Sequence, residues 1–192
     1  MIKDNILSKN FTRREFSGKG LPAVLTINQQ AMLDNIVNNI LQPVRDRCKK
    51  GIRITDCFRT IEKAKSMIAR GYNPSTTSDH FWGQAIPLRQ LKKRKIYGPV
   101  YYYSAGAVDM QAWNPKETFF LFNMMYDMST HQEIKIGQLI YEENPDRKTS
   151  WIHVANPVSL IYSDEFIKKY PFLVKTKYLT SYTNGKTYKV FK

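Results

Sequence analysis

Apolar residues return every three or four positions between residues 28 and 47. Met32, Leu33, Ile36, Val37, Ile40, Leu41 and Val44 form one stripe of an amphipathic helix. Pro43 lies inside the stripe and predicts a kink or a new turn, because proline donates no backbone hydrogen bond. A second amphipathic helix is expected over Glu117 to Met128, entered through Asn114-Pro115, an N-cap followed by proline in the first turn. Thr60 to Ala69 reads as a shorter helix ended by Gly71, and Thr12 with Glu15 three residues on is a capping box. Strands are expected at Ile52–Phe58, Ala105–Gln111, Ile134–Tyr141 and Trp151–Ala155. Asn184-Gly185 between Tyr182 and Tyr188 is a hairpin signal.

Residues 1–27 read as an irregular lead-in whose Phe11, Phe16 and Leu21 pack onto the body, and residues 72–80 as a polar loop. Residues 84–104 carry a basic run, then Gly98-Pro99, then Val100 to Tyr103, and read as an excursion with hairpin character. Helices and strands without βαβ alternation predict an α+β fold, a small antiparallel sheet packed with helices. The expected organisation is one domain over 1–157, interrupted by an excursion at about 86–104, followed by a Tyr/Lys-rich C-terminal extension over 158–192.

The 192 residues are 42% hydrophobic, enough for one sizeable core. No apolar run approaches the roughly 18 residues of a membrane helix, and Met1 to Thr12 has no signal-peptide core. The expectation is a chain made in the cytoplasm, without a membrane span, and carried elsewhere by other means if it acts outside. The net charge of +14 favours acidic partners (nucleic acid, anionic membrane or an anionic cell wall), against the plainer reading of a generic positive surface that aids solubility. Arg89, Lys92, Lys93, Arg94 and Lys95 are the densest patch, but no familiar nucleic-acid motif surrounds them. Cys48 and Cys57 lack metal-ligand spacing; Cys57, in an apolar stretch, reads as a buried thiol.

Three histidines remain as candidate chemistry. Singly, His131 reads as a polar residue at a helix end, and His153, mid-strand, as a satisfied buried imidazole. Taken together, four segments change that reading. Ile54-Thr55-Asp56-Cys57-Phe58-Arg59, Ser78-Asp79-His80-Phe81-Trp82-Gly83-Gln84-Ala85, Gln138-Leu139-Ile140-Tyr141-Glu142 and Trp151-Ile152-His153-Val154 follow one another. In that order they resemble the I-T-S-G-Y-R, S-x-H-x-x-G-x-A, Q-L-I-x-E and W-I-H-V segments of the D-alanyl-D-alanine carboxypeptidase-like metallopeptidases, which include phage endolysins. Asn10 to Phe16 and Leu41 to Arg45 are similar to the start of that family, so the resemblance covers residues 10 to 157.

The resemblance implies a carboxypeptidase/hedgehog-like fold, a catalytic Zn2+ held by two histidines and an aspartate with a fourth position open, and peptidoglycan as substrate. It makes His80 and His153 metal ligands, Arg59 a contact for the oxyanion or the substrate carboxylate, and Ser78 a lining residue of the substrate site. It implies action at the cell wall or within a virion, beside other virion proteins.

The pattern departs from the family at two places. Its aspartate follows as H-x-x-G-x-A-x-D, where this chain has Pro87; Ala107-Val108-Asp109 supplies the A-x-D ending further on. An insertion over 86–104 therefore makes Asp109 the third ligand, against the alternative that it pairs with an arginine or caps a backbone group. Some relatives also place a glutamate three residues before the second histidine; here that residue is Ser150. Glu142 becomes the candidate general base, with Glu143 or Asp146 as substitutes. Two further readings stay open: a silenced peptidase fold serving as a structural or wall-binding virion part, and a basic nucleic-acid-binding module.

Overall fold

The structure, a computed structural model, describes residues 6–70, 78–87, 101–171, 174–175, 177–183 and 187–191. Helix α1 (Arg13–Ser17) starts at the expected capping box, with the Thr12 N–H donating to Glu15 Oε2 at 2.7 Å. The long helix begins at Ile27, one residue before the expected span of 28–47, at a second box in which Thr26 and Gln29 cap each other. It runs as α2 (Ile27–Asp34), a π-helical stretch over Asn35–Leu41, and α3 (Gln42–Cys48). The wide turns end just before Pro43, with the Gln42 N–H reaching back five residues to the Val37 carbonyl. This arrangement accommodates the proline within a helix that continues past it. All seven residues of the stripe are buried, each such side chain contributing about 1.5–3 kcal/mol relative to exposure.

Strands β1 (Ile52–Asp56), β4 (Ala107–Ala112), β5 (Gln138–Asn144), β6 (Thr149–Ala155), β7 (Tyr178–Ser181) and β8 (Lys189–Val190) form one sheet in the order β1-β4-β6-β5-β7-β8. The sheet is mixed, a correction to the wholly antiparallel expectation: β7 runs parallel to β5, while every other neighbouring pair is antiparallel. The connection from β6 to β7 carries helix α6 (Asp164–Lys169), and a crossover of that length lets a strand re-enter in the parallel sense. Residues beyond 157 thus supply two strands of this sheet. Ile52, Ile54, Val108, Met110, Leu139, Tyr141, Ile152 and Val154 point to the buried face, in one core with the long helix and with α5 (Thr118–Thr130). Side chains alternate along strands, so Asp109, Gln111, Ile140, Glu142, Trp151 and His153 share the opposite face.

The strand expected from Ile134 begins only at Gln138. Ile134 and Ile136 are buried, but in a turn that precedes the ladder. Helix α4 (Ile61–Ala69) is capped by the Thr60 side chain. The short strands β2 (Ala85–Pro87) and β3 (Tyr101–Tyr103) pair antiparallel, Ala85 opposite Tyr103, so the chain leaves and re-enters at one place. The basic cluster of residues 89–95 and the Asn184-Gly185 turn lie outside the described residues, although β7 and β8, which flank that turn, do pair. No described helix is long and apolar enough to cross a membrane.

Candidate metal centre

Asp109 and His153 are direct partners across β4 and β6, which places their side chains together on the face opposite the main core. His80 arrives from a different element, the single 3-10 turn Asp79–Phe81 capped by Ser78. Trp82 anchors that turn: it is fully buried and its indole N–H donates to the Ala107 carbonyl at 2.8 Å. At Gly106 (φ +86°) an added Cβ would press on Trp82 and Met32, so the backbone there can lie against the indole only without a side chain. A bulge in β1 sets Asp56, rather than Thr55, opposite Asp109.

His80 Nε2 lies 3.1 Å from Asp109 Oδ1, His153 Nδ1 lies 3.0 Å from the same oxygen, and the two nitrogens are 3.2 Å apart. These atoms form a nearly equilateral triangle of two imidazole nitrogens and a carboxylate oxygen. Around a tetrahedral zinc with bonds of about 2.0–2.1 Å, neighbouring donors sit about 3.3–3.4 Å apart. The triangle is slightly tighter than one face of that tetrahedron and matches it in shape. Both histidines are buried and Asp109 nearly so. The three residues can hold a metal ion.

The donor orientation agrees with that use. His80 Nδ1 donates to the Cys57 carbonyl at 2.6 Å. A carbonyl only accepts, so a proton sits on Nδ1, and Nε2 is the nitrogen turned to the centre. On the far edge of His153, Nε2 lies 3.9 Å from the Asp79 carboxylate, which is itself bound by Lys175 Nζ at 2.7 Å. Burial would raise Asp109, but the His80 and His153 imidazoles outweigh it and hold the carboxyl well below the usual range. Burial would lower His153, but Asp109 and then Asp79 raise it to about 9. Asp79 is likewise held well below the ordinary carboxylate range, Lys175 and His153 overcoming burial. The pocket is thus built for positive charge, which a proton or a cation can supply.

Arg59 is buried, pairs with Asp56 at 2.7 Å and reaches the Ser78 hydroxyl at 3.5 Å; its Nε–H has no hydrogen-bond partner among the described residues. Its backbone N–H donates to the His80 carbonyl, tying the end of β1 to the ligand turn. Glu142 stands on the same face of the sheet as the triangle, on β5, two positions from Ile140, the partner of His153. Burial and, next, the Asp109 carboxylate push it above the ordinary range, and it accepts a hydrogen bond from Tyr188 at 3.4 Å. Glu143 lies on the other face with the Tyr141 hydroxyl, and Asp146 is exposed in the following turn. His131 is on the surface beside Asp127, away from the centre. Cys48 and Cys57 are free thiols. Sequence reasoning missed Asp79, Lys175 and Tyr188. The aspartate adjoins a proposed ligand, but nothing in its spacing marks it as facing the other histidine. Lys175 and Tyr188 come from the C-terminal stretch, where no motif points inward. No protein-family model, no curated protein and no solved structure matches this chain.

Proposed function

We propose that this protein is a zinc-dependent peptidase that cleaves peptide bonds in peptidoglycan stem peptides, with a D-alanyl-D-alanine carboxypeptidase/hedgehog-like fold, in the service of a phage as endolysin or virion component. The observation that carries the reading is the donor triangle of His80, Asp109 and His153, with edges of 3.0–3.2 Å, on the face of the sheet opposite the main core. Its ligand order and types are those implied by the motif resemblance, and the β2–β3 pairing accounts for the displaced aspartate. A net charge of +14 suits an anionic wall.

His80, Asp109 and His153 would hold the zinc, which when bound would supply Lewis acidity to polarise a scissile carbonyl and acidify water. Glu142, on the same sheet face as Asp109 and His153, would accept the proton of the attacking water and return it to the leaving amine. The Arg59 guanidinium, braced by Asp56, offers its remaining donors to the developing oxyanion or to a substrate carboxylate. Ser78 holds both Arg59 and the His80 turn in place.

The competing reading, a silenced fold kept as a structural part, is favoured by Ser150 at the position where some relatives carry a glutamate. Elemental analysis of the purified chain, paired with amine release from peptidoglycan, tests both. One zinc per chain with hydrolysis upholds the enzyme. Zinc without hydrolysis of any stem or cross-bridge bond favours the silenced fold, and no zinc after metal addition overturns the peptidase.

A further inference from the structure

Each histidine of the centre has a second ring nitrogen. For His80 that nitrogen is spoken for by the Cys57 carbonyl at 2.6 Å. For His153 the facing group is the carboxylate of Asp79, 3.9 Å from Nε2. Asp79 is 4% exposed and immediately precedes His80, so one dipeptide supplies a ligand and a neighbour of the other ligand. Its place is held from two sides. The Ser104 hydroxyl donates to its backbone carbonyl, at the point where the chain returns from β3. Lys175 Nζ, from beyond α6, binds Oδ2 at 2.7 Å, the same oxygen that faces His153.

We propose that Asp79, gripped by Lys175, is a positioning residue for His153. It faces Nε2 from 3.9 Å, as a negative charge or through a bridging water rather than by a direct hydrogen bond, and so favours a proton on that nitrogen and leaves Nδ1 as the atom offered to the metal ion. Histidine ligands usually donate their second N–H to a carboxylate, carbonyl or water, which fixes the tautomer and ring orientation. The inference rests on the metal-centre reading above and extends it to a residue that the motif resemblance does not assign. It also makes the C-terminal stretch a working part of the centre, because Lys175 lies there.

The experiment is a zinc titration of the full chain against a competing chelator, together with imidazole 15N spectra of the zinc-loaded protein. It compares wild type with Asp79→Ala, Asp79→Asn and Lys175→Met. Asp79→Ala is expected to bind zinc about 10- to 100-fold more weakly and to shift the His153 nitrogen signals while those of His80 stay in place. Asp79→Asn, which keeps an acceptor oxygen but no charge, is expected to lose less. Zinc affinity within about twofold of wild type, with unchanged His153 signals, overturns the assignment. If Asp79→Ala does not fold, Asp79→Asn and Lys175→Met are read by the same criterion. Wild type that binds no zinc overturns both the centre and this role. Wild type that binds zinc but cleaves no peptidoglycan removes the peptidase reading and leaves the positioning role standing.

Discussion

Asp109 and His153 face each other in register across β4 and β6, with Oδ1 3.0 Å from Nδ1. Two of the three candidate donors, on adjacent strands, are thus set by the sheet itself, and only His80 depends on a loop for its place. Replacing either strand ligand should abolish stoichiometric zinc, because a catalytic site needs three protein ligands. Asp109→Asn should also lower the stability of the metal-free protein by about 3–5 kcal/mol, the usual cost of removing one partner from a buried pair. Elemental analysis and denaturant unfolding measure the two effects; retention of full zinc in His153→Ala would remove that residue from the centre.

Glu142→Gln separates chemistry from metal binding. The amide can neither take nor return a proton, so turnover should fall by about 10²–10⁴ while zinc content stays at the wild-type level. Steady-state hydrolysis of a muropeptide reads the first and elemental analysis the second. A variant with unimpaired turnover would move the general-base role to another group.

The metal-free protein should lose stability as the pH rises. His153 is raised from an ordinary 6.5 to about 9 by its two carboxylate neighbours. Its contribution is therefore complete below about pH 6.5 and lost as the pH climbs through about 9. Asp109 and Asp79 are depressed, so theirs is present at neutral pH and lost in acid. Unfolding midpoints in the presence of chelator should fall across the alkaline window, and a flat profile there would contradict the pairing. Zinc affinity should rise over the same window, because the ion competes with that proton.

Gly137→Ala probes the entry to β5. A Cβ at that position would overlap the Asn156 carbonyl and approach the Pro157 backbone, neither of which can turn aside like a side chain. The expected loss is about 1–3 kcal/mol, the range for atoms forced into a packed interior. Denaturant unfolding measures it, and wild-type stability would show that the two backbones separate easily.

The long helix was legible in the sequence because its apolar stripe is its buried face, residue for residue. The strands holding Asp109 and His153 were legible for a similar reason: flanking Val108, Met110, Ile152 and Val154 alternate with them and all four are buried. That Asp109 lies with the two histidines could be reasoned out because Ala107-Val108-Asp109 supplies the A-x-D ending of the resemblance after the excursion. The parallel entry of β7 was not legible, since a strand's own residues do not say beside which neighbour it will run. Asp79 and Lys175 meet across 96 residues, and their pairing exists only once the sheet and the C-terminal stretch have packed.

The closed base of the excursion has a consequence for how this fold can vary. Ala85 and Tyr103 lie side by side, so His80 and Asp109 feel the joined stem rather than the chain length between its ends. That stem behaves as a socket. Segments of different size or charge can be spliced onto it, by evolution or by design, without re-solving the geometry of the donors beneath.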